Sequence, residues 1–327
     1  MRAIQQRSFG GPEELRLVEV PDPHPAAGQV RIRVESAGVH VVDTVVRRGG
    51  SAGPAGPQTL PAVPGREVAG VVDEVGAGVD AGLAGRRVVV SLGEAGGGYA
   101  ELALAPAGEV HLVPENLDAD AAVAMIGTGR TALAVLELAA PAAGDVALVT
   151  AAAGGIGTLL VQAERAAGAA VVGLASGEQK LALVRDLGAA VTVDYSRPSW
   201  PEQVQTALAG RPVTLVLDGV GGEAGRAALE LLGVGGRLVM FGMSSGSLPP
   251  LSAEDVYRYG ITVCAAVGAR LVRRPGGLRP LAEQALAAAA GGTLTPVIGT
   301  RFPLAEAAAA HTAIESRATL GKVVLHP

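Results

Sequence analysis

Along the chain, apolar and polar positions follow two different rhythms that change near Ala119. Before it the apolar runs are short and alternate with polar residues, as in "QVRIRVESAGV" (Gln29–Val39), and "EVAGVVDEVG" and "GRRVVVSLG" follow between Gly- and Pro-rich turns. Period-two alternation in short runs predicts strands of a compact, barrel-like β domain. From Ala119 the stretch "DADAAVAMIGTGRTALAVLELAA" has helical spacing, and strand and helix patterns then alternate. The spacing predicts strands at Val146–Thr150, Ala170–Leu174, Ala190–Val193, Thr214–Leu217 and Arg237–Phe241. Helices are predicted between them at Ile156–Ala167, Glu178–Leu187, Trp200–Ala209 and Gly222–Leu232. Such alternation implies a parallel sheet covered by helices on both faces. Beyond Val263 come two further helical segments, "GGLRPLAEQALAAAAGG" and "PLAEAAAAHTAIES", and a closing strand "GKVVLHP".

At the first strand–helix junction of the second region stands "TAAAGGIGTLLVQ", with three glycines in four residues. Glycine is costly inside a strand or helix, so a cluster at the junction marks a place where something approaches the backbone. Strand, glycine turn, helix is the context of a dinucleotide site. Ala152, Gly154 and Gly157 take the three fingerprint positions, Ala152 departing from strict glycine and Gly155 adding one. Gly154 and Gly155 would let backbone reach a pyrophosphate at the start of the helix opening with Ile156, where free N–H groups and the helix dipole favour negative charge. Gly157 would allow close helix–strand packing. No Gly-Lys-Ser/Thr follows, which disfavours a triphosphate loop.

NAD-selective sites place an acid at the end of the second strand to hold the ribose hydroxyls. Here Ala175 and Ser176 stand in its place and Lys180 follows one turn later; Lys180 and Lys322 are the chain's only lysines. The 2′-phosphate of NADPH suits these residues, although a solvated first-turn lysine would look the same.

Composition narrows the partners. With 49% hydrophobic residues, 2% aromatic and a formal charge of −5, the 327-residue chain can build two cores but offers neither a basic face nor stacking rings for nucleic acid. One cysteine, Cys264, excludes an intramolecular disulfide framework and any multi-cysteine metal site. The N-terminus lacks the apolar core of a secretory signal, and the apolar run Val146–Val161 is too short and broken to span a membrane. A cytoplasmic chain with no membrane partner is expected.

Taken with "LPAVPGREVAGVVDEVG", "GGGYAEL" and "HTAIESRATLGKVVLHP", these motifs resemble, nearly end to end, the zinc-independent quinone oxidoreductases (zeta-crystallin-like) of the medium-chain dehydrogenase/reductase superfamily. The resemblance implies an α/β chain with a GroES-like β-rich catalytic domain at 1–118 and 265–327 and a Rossmann domain, a doubly wound parallel sheet, at 119–264. NADPH is the implied cofactor. Ser176, Lys180, Tyr195 and Arg317 match its 2′-phosphate contacts. Phe241 and Gly242, at the end of the last Rossmann strand, match the backbone region near the nicotinamide, and Thr131 matches a hydroxyl beside that ring. Relatives are often dimers, so a homodimer is expected, with "GITVCAAVG" as a candidate pairing edge.

Zinc relatives bind their catalytic metal through Cys, His and Cys. His40 falls at the first ligand position, but Arg66 replaces the histidine, no cysteine lies near Thr131 and the four-cysteine lobe is missing. No metal is expected, since catalytic zinc needs three protein ligands. The zinc-independent family usually carries Asn where His40 stands and often Tyr where Val45 stands. His40 is thus either a packed loop histidine or a group that hydrogen-bonds the substrate carbonyl and supplies a proton. Asp43 and Glu67 read as structural, and His24, His111, His311 and His326 as bystanders. The expected activity is hydride transfer from NADPH to a small-molecule quinone or enone. An enone, 2-alkenal or polyketide-tailoring reductase and a non-catalytic NADPH-binding protein are the alternatives.

Overall fold

The computed structural model describes residues 1–50 and 58–327. In chain order the first strands are β1 (Arg2–Gln5), β2 (Arg16–Glu19) and β3 (Gln29–Val39), followed by helix α1 (Val41–Arg47). Next come β4 (Glu67–Val75), β5 (Arg87–Ser91), β6 (Leu102–Pro106), β7 (His111–Leu112), α2 (Ala119–Ala124) and α3 (Arg130–Ala139). The alternating region then runs β8 (Val146–Val149), α4 (Gly155–Ala166), β9 (Ala170–Ala175), α5 (Glu178–Asp186), β10 (Val191–Asp194), α6 (Trp200–Leu208), β11 (Val213–Asp218), α7 (Gly222–Glu230) and β12 (Leu232–Met240). It is followed by α8 (Ala253–Tyr259), β13 (Thr262–Ala265), α9 (Ala269–Val272), α10 (Arg279–Ala290), β14 (Ile298–Pro303), α11 (Ala307–Glu315) and β15 (Lys322–His326).

These elements gather into two compact units, one of Met1–Thr128, Ala282–Gly292 and Pro296–Pro327, the other of Gly129–Leu281 and Thr293–Thr295. In the first unit, β14-β15-β3-β4-β5-β7 form one sheet, with β6 also paired to β3. Its pairs are antiparallel apart from β14 with β15. Alternation along β3 sends Val30, Ile32 and Val34 inward, where they meet Val68, Val72, Val88 and Val90. Strand β15, from the far end of the chain, pairs with β3 so that Val323 lies opposite Val39. That pairing brings Lys322 back to the start of α1.

The second unit holds a six-stranded parallel sheet in the order β10-β9-β8-β11-β12-β13, the doubly wound Rossmann order with its switch point between β8 and β11. All of β8 is buried, as a central strand covered on both faces requires. The predicted elements lie within a few residues of the observed ones, with one larger difference. Strand β12 starts at Leu232, well before Arg237, because the glycines at 233, 235 and 236 extend it through a register shift against β11. The helical stretch after Asp118 also differs, being broken by a wider turn at Met125–Gly129. Ala119–Ala139 has the length and mean hydropathy (1.4) of a membrane span, yet 61% of it is buried inside the protein.

Candidate active site

The glycine turn follows β8 at the switch point. Ala151 adopts a left-handed φ of +47°, reversing the chain so that the Ala152 N–H reaches the Leu174 carbonyl at the end of β9 (2.9 Å). Gly154 is the extended N-cap of α4, and its carbonyl accepts from Thr158 N (2.9 Å). The amides of Gly155, Ile156 and Gly157, in the first turn, have no intrahelical acceptor. A Cβ on Gly157 would stand 2.3 Å from the Ala151 carbonyl oxygen and 2.8 Å from Ala152 Cα, so only glycine lets this helix sit down on its turn. Free amides and a helix dipole on a side-chain-free surface fit the pyrophosphate of a dinucleotide.

Ser176, Lys180 and Tyr195 come together at one corner of the second unit. Asp194 of β10 lies in register with Ala175 of β9, and Tyr195 N donates to the Ala175 carbonyl (3.2 Å). Ser176 directly follows β9, Gly177 turns the chain with φ +81°, and Lys180 sits in the first turn of α5. Asp194 accepts from Ser196 Oγ (2.6 Å), Ser196 N (3.0 Å) and Gly177 N (3.3 Å), and the Ser196 bonds lower its carboxyl below the usual range.

At the other side of the switch point a buried pair escaped the sequence reading. Asp218, ending β11, accepts from Thr150 Oγ1 (2.8 Å), Val220 N (3.0 Å) and Gly221 N (3.0 Å), while Thr150 Oγ1 accepts from Gly219 N (2.9 Å). This fixes the loop after β11. Phe241 and Gly242 pack on that loop: a Cβ on Gly242 would lie 2.7 Å from the Gly219 carbonyl oxygen, and one on Gly219 would strike the Phe241 ring. The signal was present as "DGVGG", an acid followed by glycines at a strand end. Thr131 lies half-buried on α3 of the same unit.

His40 and Arg317 belong to the first unit. Arg317 is exposed just after α11, at a left-handed φ of +57°. His40 is the N-cap of α1, and its backbone N–H donates to Asp43 Oδ2 (2.8 Å). Its imidazole Nε2 lies 2.7 Å from Glu67 Oε1 and 2.9 Å from Lys322 Nζ, and Lys322 Nζ lies 2.5 Å from the same Glu67 oxygen. Glu67 and Lys322 are buried, whereas the His40 side chain keeps 24% of its surface. Burial would raise the Glu67 carboxyl, but His40 and Lys322 against it bring it down to about 2. Two glycines make the room: a Cβ on Gly38 or Gly127 would stand 2.0 or 2.1 Å from a Glu67 oxygen.

A second buried network backs this cluster. Arg47 donates from Nη1 to His311 Nδ1 (3.1 Å) and pairs with Glu315. With Nδ1 accepting, His311 Nε2 carries the proton and donates to Tyr99 Oη (3.1 Å), and Tyr99 donates in turn to Asp43 Oδ2 (3.2 Å). Burial, with the Arg47 charge, pushes the His311 imidazole down to about 3, and burial raises Asp43 above the usual range. His311, taken from the sequence as a bystander, is thus an internal strut. Arg66 is half-buried just ahead of β4, its carbonyl accepting from Leu92 N (2.7 Å).

The arrangement has known counterparts. Residues 26–115 match the alcohol dehydrogenase GroES-like domain, and residues 155–287 match the zinc-binding dehydrogenase domain. Quinone oxidoreductase of Rattus norvegicus is 33% identical, over 99% of this chain and 97% of the rat protein. The 2-haloacrylate reductase of a Burkholderia species is also 33% identical, over 97% and 96%. Among solved structures, quinone oxidoreductase of Thermus thermophilus, determined alone and with NADPH, is similar over the whole of both chains at 35% identity and a TM-score of 0.83. With both units and the full length accounted for, the chain belongs to the quinone oxidoreductases of the medium-chain dehydrogenase/reductase superfamily and is an oxidoreductase.

Proposed function

We propose that the chain reduces a quinone or a related conjugated carbonyl with hydride supplied by NADPH, and does so without zinc. The observation that carries this reading is the glycine turn at the switch point beside a second strand that ends on Ala175, with Ser176 and no acid following it. The first-turn amides from Gly155 to Gly157 and the turn Ala152–Gly154 hold the pyrophosphate. Ser176, Lys180, Tyr195 and Arg317 hold the 2′-phosphate, and Phe241, Gly242 and Thr131 border the nicotinamide. His40 meets the substrate carbonyl. These residues supply orientation and exclusion of water, and the redox chemistry is the cofactor's.

Two features support zinc independence. His40 Nε2 is already engaged by Lys322 and Glu67. Lys322 and Arg66 add positive charge where a cation would have to enter. An electron-poor alkene is the second reading for the acceptor, favoured by the likeness to 2-haloacrylate reductase. Strand β13 ends the Rossmann sheet with one side unpaired among the described strands, and its Thr262 and Ala265 are exposed; this edge suits a homodimer.

NADPH oxidation at 340 nm, with matched NADH controls, tests the proposal against 1,4-benzoquinone, 9,10-phenanthrenequinone and 2-cyclohexen-1-one. Turnover selective for NADPH and unaffected by chelator is expected, and the fastest acceptor separates the two readings. Tight NADPH binding with no turnover of any acceptor would refute reductase activity toward these classes.

A further inference from the structure

We propose that the acceptor carries a carboxylate and that Arg66 holds it. The proposal rests on the reading of the chain as a reductase of conjugated carbonyls, and narrows the substrate to an enone or electron-poor alkene with an anionic end. Its basis is a cleft of 570 Å3 within the first unit, in the size range of small-molecule sites. Asp43 and Val46 of α1 line it, so the cleft opens beside the helix that His40 caps. Residues 93–97 form another part of the wall, and three of the five are glycines. A Cβ on Gly96 would stand 2.9 Å from the Val63 carbonyl oxygen and 3.3 Å from Gln58 Nε2, so bare backbone there leaves room for the Gln58 amide.

The charged residues lining the cleft are Asp43, Arg47, Arg66 and Glu94. Arg47 is committed: Nε donates to the Gly10 carbonyl (3.1 Å), Nη1 to His311 Nδ1 (3.1 Å), and Nη2 pairs with Glu315. Asp43 Oδ2 accepts from the His40 N–H (2.8 Å) and from Tyr99 Oη (3.2 Å). Glu94 is exposed and solvated. Arg66 is the exception. It is half-buried, and among the described residues its guanidinium has neither an ion pair nor a hydrogen bond. Its backbone is nevertheless held. Gly98 N donates to the Gly65 carbonyl (3.1 Å) and Leu92 N to the Arg66 carbonyl (2.7 Å), and Gly65 lies so close to Tyr99 that a Cβ would stand 2.6 Å from its amide nitrogen. A guanidinium partly withdrawn from water gives up hydration, and here no carboxylate of the chain makes it good. A ligand carboxylate would do so through two parallel N–H···O bonds, the geometry a planar fork favours. The Gln58 amide adds a further donor on the cleft wall.

The test compares two acceptors that share one enone, (E)-4-oxo-2-pentenoate and its ethyl ester, by NADPH oxidation with the full chain. The two differ in intrinsic reactivity, so the quantity to read is the acid-to-ester ratio of kcat/KM, parent against variant. Arg66→Met, which keeps the apolar stem, should lower that ratio about tenfold or more, the effect of losing a hydrogen bond to a charged group. Arg66→Lys keeps the charge without the fork and should lower it by less. An unchanged ratio in Arg66→Met, including an equal loss for acid and ester, overturns the assignment. Should Arg66→Met not fold, Arg66→Gln takes its place with the same expected loss. Binding decides the site without turnover. Saturation-transfer NMR on the methyl signal of 4-oxopentanoate, with NADP+ present, should show contact with the parent protein and none with Arg66→Met. If the parent reduces neither acceptor yet shows this contact and loses it on substitution, the proposed function fails and the carboxylate site stands. Absence of contact with the parent overturns the site itself.

Discussion

The glycine turn after β8 and the cluster around Glu67 are built in opposite ways. The turn is a backbone device made from neighbours in sequence: Ala151 to Thr158 supply the reversal, the cap and the free amides. The cluster is a side-chain device whose His40 and Lys322 lie 282 positions apart and meet because β15 pairs with β3. In the turn, Gly157 gives up its side chain so that α4 can sit against the backbone of Ala151 and Ala152. In the cluster, Gly38 and Gly127 give up their side chains so that a carboxylate can stay buried. The same residue type thus seats a helix on backbone in one place and clears room for a buried carboxylate in the other. Glycine alone does not say which.

Replacing Gly157 should have the largest effect. A side chain there collides with backbone, the Ala151 oxygen at 2.3 Å and Ala152 Cα at 2.8 Å, which cannot swing aside. Gly157→Val should destabilise the second unit by about 3 kcal/mol or more, at the upper end for overpacking. NADPH binding, followed by the enhancement of its fluorescence, should be lost even at temperatures where the chain stays folded. A folded Gly157→Val protein with unchanged affinity would show that the close seat of α4 is not what shapes the turn.

Two buried carboxylates sharpen the comparison by pulling stability in opposite directions with pH. Glu67, paired with His40 and Lys322, falls to about 2. Glu164 on α4 is buried with both oxygens unpartnered among the described residues, and burial, with the nearby Asp145 charge opposed by Arg237, raises it to about 7. A lowered carboxyl contributes stability above its unfolded pKa and loses it as pH falls through the folded value, so Glu67 acts between about 4.5 and 2. A raised one stabilises below its unfolded pKa and loses that contribution as pH rises, so Glu164 acts between about 4.5 and 7. Urea unfolding at pH 5 and pH 8 should show Glu164→Gln gaining up to about 3 kcal/mol relative to the parent at the higher pH. Equal gains at both values would mean that Glu164 is not protonated in the folded protein.

The legibility of the molecule follows from this contrast. The alternation from Val146 onward and the glycines at 154, 155 and 157 are local signals, and the elements they predict form in place. Gln29–Val39 is likewise read correctly, because one strand's period is a local property. The early start of β12 is hidden by its glycines, which ordinarily argue against a strand and extend this one only because β11 is there to pair with. Glu67, Lys322, Tyr99 and His311 carry no local mark. Each looks like one polar residue in a structural motif until the pairing of β15 with β3 and the packing of α11 put them in contact. Their chemistry belongs to the tertiary fold.

The Tyr99 hydroxyl gives the mildest test of that dependence. It receives a proton from His311 and gives one to Asp43, so one oxygen joins the helix that carries His311 to the helix that His40 caps. Tyr99→Phe keeps the ring, its edge-on packing against His311 at 5.8 Å and the close approach of Gly65. What is lost is two hydrogen bonds in a buried site, leaving a ring N–H unpaired and Asp43 with one fewer donor, for a cost of about 1–3 kcal/mol by urea unfolding. If α1 depends on this strut to hold its N-cap, the His40 side-chain resonances should shift and kcat should fall by less than tenfold. A stability loss without any change at His40 would separate the two networks: Tyr99 and His311 would serve the first unit's core, and the start of α1 would be held by Asp43 alone.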